Sequence, residues 1–255
     1  MSGLFDLTGR TALVTGSSQG IGKALAKGLA QAGARVVIHG RDQKKAERTA
    51  AEIAESTSTQ PLVKTFDITT KPSVEAGVAE LEDLIGTVDI LVNNAGIQRR
   101  TPIMDFKDED WEDLLSTNLT SIVLMSRRIA PGMVERGSGR IINIGSVQSQ
   151  LARPSIAPYS ATKGAVVMFT KGLCADLAPH GITVNALAPG YFDTELTKAL
   201  VEDEEFSAWV AERTPAGRWG SVEELVGTLV FLASDASTFV NGQTIFVDGG
   251  MTAVV

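Results

Sequence analysis

The sequence predicts a doubly wound α/β fold: a single domain over residues 1–255 with one seven-stranded parallel sheet and helices on both faces. Three observations carry that expectation. Short β-branched runs alternate with longer stretches of helical periodicity along the chain, the pattern of successive βαβ units. A glycine-rich turn joins the first of these strands to the first helix. The 255 residues suit one large domain with a buried sheet, and no internal repeat, low-complexity tract or linker divides them.

Taken in order, the first strand is Thr11–Thr15, and the first helical pattern is Ile21–Ala32. The strand Arg35–His39 follows, then the helix Asp42–Glu55 and the strand Leu62–Phe66. The helix Lys71–Ile85 leads into the strand Val88–Val92. One long helical pattern, Asp110–Glu135, precedes the strand Arg140–Ile144. A second long one, Ala157–Leu177, precedes the strand Thr183–Leu187. The helix Val222–Ala233 and the strand Thr244–Val247 complete the alternation. One stretch departs from it. Gly190–Trp219 is mostly polar between two elements and is a candidate substrate lid. Its acidic run, Glu202-Asp203-Glu204-Glu205, reads as a solvated helix end.

Composition excludes several classes. A net charge of −7 with no long basic stripe argues against nucleic acid as a partner. No apolar run reaches the roughly 18 residues that a membrane helix needs, so no membrane partner is expected. The first ten residues lack the basic and apolar regions of a signal peptide. Cys174 is the single cysteine, so no intramolecular disulfide can form, which fits a reducing cytoplasm. The two histidines, His39 and His180, match no ligand motif, and no metal site is expected.

The first strand runs into Thr15-Gly16-Ser17-Ser18-Gln19-Gly20-Ile21-Gly22 and then a helix. Glycines there let the backbone turn tightly and approach a pyrophosphate, and the helix N-terminus offers unpaired N–H groups. The contacts expected for a dinucleotide in such a Rossmann-type turn fall on Gly16, Ser18, Gly20, Ile21 and Gly22. The second strand ends in His39-Gly40-Arg41. Gly40 stands where an NAD enzyme places a ribose-binding acid, and Arg41 supplies a planar cation suited to a 2′-phosphate. NADP is therefore expected over NAD. Asp42 is close enough to be the missing acid, though it reads better as the N-cap of the next helix.

Further along stand Asn93-Asn94-Ala95-Gly96, Ser116-Thr117-Asn118, Ile144-Gly145-Ser146 and Tyr159-Ser160-Ala161-Thr162-Lys163. Tyr159 and Lys163 are four apart and share one helix face. With these motifs in this order, the chain resembles the short-chain dehydrogenase/reductase family from Thr15 to Gly250. The resemblance implies a catalytic tetrad of Asn118, Ser146, Tyr159 and Lys163. Reducing a ketone needs a proton donor, and a phenol of pKa ~10 needs a neighbouring ammonium to lower it. Ser146 would hydrogen-bond the substrate oxygen, and Lys163 the cofactor ribose. Asn118 would hold a water linking Lys163 to solvent. By position, Asp67 and Ile68 would touch the adenine, and Asn94, Ala95 and Gly96 the ribose. The segment from Pro189 and Gly190 to Thr194 would meet the nicotinamide amide. The family also implies a homotetramer built through the helices Asp110–Glu135 and Ala157–Leu177.

For the substrate, Asn93–Arg100, Ser146–Ser149, Ala188–Phe192, Arg213–Gly220 and Phe246–Met251 resemble the family's gluconate 5-dehydrogenase branch, also called 5-ketogluconate reductases. A sugar acid is an anion, so an acidic protein needs a local cation to bind it. Arg99 and Arg100 are the candidates for its carboxylate, and Gln148 for a sugar hydroxyl. The rival readings are a dehydrogenase of another hexonate, a 3-oxoacyl carrier-protein reductase and a non-catalytic NADP sensor.

Overall fold

The computed structural model describes residues 3–57, 59–195 and 197–255. Its seven strands are β1 (Thr11–Val14), β2 (Arg35–Gly40), β3 (Leu62–Thr65), β4 (Ile90–Asn93), β5 (Gly139–Ile144), β6 (Ile182–Pro189) and β7 (Thr244–Val247). They form one sheet in the order β3-β2-β1-β4-β5-β6-β7, with every pair parallel. Chain order reverses between β1 and β4. Open parallel sheets of this kind bind ligands there, beyond the strands' carboxyl ends.

The helices are α1 (Gly20–Gln31), α2 (Gln43–Ser56), α3 (Lys71–Ile85), α4 (Asp108–Leu115), α5 (Ser121–Arg136), α6 (Ala157–Leu177), α7 (Lys198–Val201), α8 (Glu204–Arg213) and α9 (Val226–Ala233). The strands are rich in Val, Ile and Leu because both faces are covered. In β1, Val14 packs on one side and its neighbour Leu13 on the other, as the two-residue period requires. Leu25 and Leu29 of α1, Ile53 of α2 and Leu229 and Leu232 of α9 close the Val14 side. Val74 and Val78 of α3 and Met125, Ile129 and Met133 of α5 close the Leu13 side. Each buried aliphatic side chain contributes ~1.5–3 kcal/mol.

The structure revises two expectations and fills in a third stretch. The pattern Asp110–Glu135 is two helices, broken by a π turn at Ser116–Thr120. The stretch Val222–Ala233 opens with a 3-10 turn, Val222–Leu225, and only then becomes α9. The stretch Gly190–Trp219 carries the two short helices α7 and α8, although Leu196 within it lies outside the described residues. Among the described residues, no helix is long and apolar enough to cross a membrane. Among them too, no three His, Cys, Asp or Glu side chains are placed to hold a metal ion.

Candidate active site

A cleft of about 640 Å³ runs along the carboxyl ends of the strands. At one end lies the glycine-rich turn. A Cβ on Gly16 would fall 2.9 Å from the Cα of Ala95, and Gly16 and Gly20 have φ of +64° and +55°. A Cβ on Gly22 would strike the Gly16 carbonyl and the Asn94 amide. The turn therefore excludes side chains and presents bare backbone at the start of α1, the cradle a pyrophosphate needs. Asn94 braces it from just past β4: its Nδ2 donates to the carbonyls of Thr15 (2.8 Å) and Gly16 (3.1 Å). Gly16, Ser18, Gly20, Ile21, Gly22, Asn94, Ala95 and Gly96 all line the cleft.

Around the corner lie Gly40, Arg41, Asp67 and Ile68. The Asp42 carboxylate accepts from the Lys45 N–H at 3.1 Å, so it caps α2, as the sequence suggested. Arg41 is exposed and makes no ion pair among the described residues. The Thr69 N–H and hydroxyl both donate to Asp67, at 2.8 and 2.7 Å, and hold its carboxyl below the usual range. Two further residues, Lys45 and His39, a histidine that matches no ligand motif, join this end. Lys45, one turn into α2, adds a second cation. His39 is buried and accepts from the Gly16 N–H through Nδ1 at 3.3 Å, while its Nε2 meets the Phe66 carbonyl at 3.1 Å. Burial pushes its pKa down to about 4, so the ring is a neutral strut behind the turn.

At the other end, α6 presents Tyr159 and Lys163 on one face, as the spacing of four requires. The Lys163 Nζ donates to the Ile144 carbonyl at 2.7 Å and lies 5.8 Å from the centre of the Tyr159 ring. Burial lowers its pKa to about 8. Burial raises that of the Tyr159 phenol, and the adjacent Ser146 hydroxyl and the Arg100 charge oppose the rise. The Ser146 Oγ accepts from the Gln148 N–H at 3.1 Å, which leaves its own proton free to donate. Pro189, Gly190 and Thr194 complete this wall.

Two expected residues are not brought to the wall. Asn118 is fully buried in the π turn, and its amide is committed to Ile97: Oδ1 accepts from the Ile97 N–H (2.8 Å) and Nδ2 donates to its carbonyl (2.9 Å). It fixes the 94–98 segment from behind. Arg99 turns to α4 and pairs with Asp110 (2.8 Å) and Asp113 (3.1 Å), so its charge is already satisfied. Of the two expected carboxylate ligands, Arg100 alone lines the cleft, where its guanidinium donates to the neutral Gln98 side chain at 2.9 Å. Gln148 also lines the cleft. Its Nε2 is 3.5 Å from the Tyr191 hydroxyl, and its buried Oε1 has no partner. Tyr191, within the expected Pro189–Thr194 segment, stands beside them, as does Arg153, which the sequence reading did not single out. A lone arginine before a proline gives no sequence signal.

Known proteins share this fold and much of this sequence. A family model described as Enoyl-(Acyl carrier protein) reductase matches residues 16–252. The chain is 54% identical over 249 residues to the gluconate 5-dehydrogenase of Gluconobacter oxydans, covering 98% of this chain and 97% of that one. It is 50% identical over 255 residues to the 5-keto-D-gluconate 5-reductase of Escherichia coli K12, covering all of both. A gluconate 5-dehydrogenase from Burkholderia cenocepacia, solved in complex with NADP and tartrate, superposes with a TM-score of 0.96 at 54% identity, covering 100% of this chain and 99% of that one. With the Ser146, Tyr159 and Lys163 constellation on a sheet of this order, the chain belongs to the short-chain dehydrogenase/reductase family.

Proposed function

We propose that this protein is an NADP-dependent oxidoreductase that interconverts D-gluconate and 5-keto-D-gluconate. The observation that carries the reading is the shared cleft. Ser146, Tyr159 and Lys163 lie between a phosphate-type cradle with Arg41 at one end and Arg100, a cation without an acid partner, at the other. Relatives that act on gluconate at 50–54% identity, and one solved with NADP, support it.

The residues fit the cofactor. Gly16, Ser18, Gly20, Ile21 and Gly22 would hold its pyrophosphate, with Arg41 and Lys45 at the 2′-phosphate and Asp67 and Ile68 at the adenine. Asn94, Ala95, Gly96 and Lys163 would take the ribose, and Pro189, Gly190 and Thr194 the nicotinamide amide. When bound, NADPH supplies the hydride that turns the ketone into a secondary alkoxide. Tyr159 then gives its phenolic proton to that oxygen, and Ser146 donates a hydrogen bond to it. The Lys163 ammonium favours the phenolate left behind. In the oxidative direction, the phenolate takes the proton back. Asn118 positions the loop facing Lys163. Arg100 takes the carboxylate, and the unpartnered Gln148 Oε1 accepts from a sugar hydroxyl.

The segment Gly190–Trp219 would act as a lid, since Thr194, Glu195, Thr197 and Leu200 reach the cleft from it. A homotetramer through α5 and α6 is supported by family resemblance and by Met168 on α6, which is 63% exposed in the single chain. Cytoplasmic residence is supported by the single cysteine.

The test is a panel of sugar acids and an acetoacetyl thioester with NADPH and NADH, followed by absorbance of the reduced nicotinamide. The reading requires 5-keto-D-gluconate with NADPH to give the highest kcat/KM. A higher value for the thioester would overturn it in favour of a carrier-protein reductase.

A further inference from the structure

Arg153 lies between the Ser146 turn and α6, in Leu151-Ala152-Arg153-Pro154-Ser155, and lines the same end of the cleft as Arg100. Three features set it apart from a surface arginine.

The first is charge. Arg99 has two aspartates, but Arg153 makes no ion pair among the described residues. Its guanidinium instead rests 5.3 Å from the centre of the Phe206 ring on α8. It is near enough to Arg100 that, after burial, its charge is what most lowers the Arg100 pKa. Two adjacent cations without an acid between them repel, and an anion seated on both removes that cost. The second is backbone. The Thr101 N–H donates to the Ser155 carbonyl at 3.0 Å, which ties the loop of Arg100 to the loop of Arg153. Among the described residues, Ser155 is the one non-glycine with positive φ, at +67°. Such strain persists where the surroundings enforce it, and here the Thr101–Ser155 bond that joins the two arginine loops is part of those surroundings. The third is unmet hydrogen bonding. Among the described residues, the Nε of Arg153 and the Oε1 of Gln148 are both buried without a partner, one a donor and the other an acceptor. A sugar-acid end presents a carboxylate and a hydroxyl, the complementary pair.

We propose that Arg153 is a specificity-determining residue that forms, with Arg100, a two-cation seat for the substrate carboxylate, and that Phe206 holds it there from α8. The inference rests on the sugar-acid reading above and extends it to a residue and a helix outside the expected site.

The experiment compares wild type, Arg153→Met and Arg153→Lys. Substrates are 5-keto-D-gluconate and an uncharged ketohexose. Binding of tartrate, a carboxylate with adjacent hydroxyls, is followed separately by fluorescence of the enzyme–NADPH complex. Arg153→Met is expected to raise KM for 5-keto-D-gluconate ~10- to 100-fold, the effect of losing a charge-assisted contact. Its kcat should stay within about threefold, and KM for the uncharged ketose should be unchanged. Tartrate affinity should fall by a similar factor, and Arg153→Lys should restore part of both losses. Equal effects on the charged and uncharged ketones, or an unchanged tartrate affinity, would overturn the proposal and leave Arg153 as a prop for Phe206. Inactive wild type that still binds tartrate through Arg153 would sink the 5-ketogluconate reading while supporting the anion seat.

Discussion

Tyr159 and Lys163 divide the proton chemistry between them. The phenol is pushed up by burial and the ammonium is pushed down to about 8, so at neutral pH both carry their protons. That state suits ketone reduction. Tyr159→Phe keeps the ring and removes the proton. We expect kcat to fall by at least ~100-fold with NADPH affinity nearly intact, and turnover within about threefold of wild type would remove Tyr159 from its role. Arg41 is the comparable test at the other end of the cleft. Asp42 caps α2 and Asp67 accepts from Thr69, so both carboxylates near Arg41 already have donors. Arg41→Ala should weaken NADPH ~10- to 100-fold and leave NADH nearly unchanged, as measured by fluorescence titration. Equal losses for both cofactors would reassign Arg41 to structure.

Much of this residue-level detail was legible in the sequence, for a physical reason. The glycine-rich turn and the Tyr159/Lys163 pair are defined by spacing along single elements, and spacing survives without coordinates; Asn118 and Ser146 stand on other elements, and only the family resemblance singled them out. Arg99, Arg153 and His39 were not legible that way. Arg99 and Arg100 are neighbours with the same chemistry. Only the approach of Asp110 and Asp113 from α4 decides which one faces the cleft. Arg153 gains its meaning from Phe206, more than fifty residues away.

Among the elements, β4 and β5 carry the site, and a buried polar network joins them beneath it. The Asn93 Nδ2 donates to Asn143 Oδ1 at 2.8 Å and to the Ser126 hydroxyl at 3.2 Å. The Asn143 Nδ2 in turn donates to the Thr170 hydroxyl of α6 at 2.9 Å. This chain fixes the helix that bears Tyr159 and Lys163 against β5, the strand that leads to Ser146. Asn93→Leu keeps a similar volume but leaves the Asn143 oxygen buried without its donor. We expect a loss of ~1–3 kcal/mol, or a Tm drop of ~2–12 °C for a chain of this size. An unchanged Tm would mean that the network adds nothing. The π turn at Ser116–Thr120 is the element the sequence hid. The stretch contains no glycine or proline, and its apolar period continues across the break. The extra residue per turn shows only in the backbone, where it aims Asn118 at Ile97. In Gly190–Trp219 the acidic run Glu202-Asp203-Glu204-Glu205 marks the helix ends that its sequence suggests, but the extent of α7 and α8 does not show in so polar a stretch. Their anchor is the contact of Tyr191 with Phe206, Trp209 and Trp219, a cluster scattered over 29 residues.

For the whole molecule, the buried Lys163 sets stability and activity on opposite courses with pH. Its pKa falls from the usual 10.5 to about 8 on folding, because burial disfavours the charged form. Below pH 8 both folded and unfolded chains hold the proton, and the folded state carries the full cost, ~3 kcal/mol. Between 8 and 10.5 the unfolded chain binds more protons than the folded one, so stability rises with pH. Above 10.5 the cost has gone. Net charge grows more negative over the same range and adds repulsion, but that effect is common to any variant of the chain. Lys163→Met removes the titrating group, so the comparison isolates it. The variant also loses the bond to the Ile144 carbonyl, a cost that does not change with pH. The stability of Lys163→Met relative to wild type should therefore be highest near pH 7 and should decline by ~3 kcal/mol by pH 10.5, as measured by urea denaturation. Wild-type ketone reduction should fall over the same interval, since the ammonium that stabilises the phenolate is lost as the fold gains. A stability difference independent of pH would mean that Lys163 titrates normally, and the proton assignment at Tyr159 would have to be rebuilt without it.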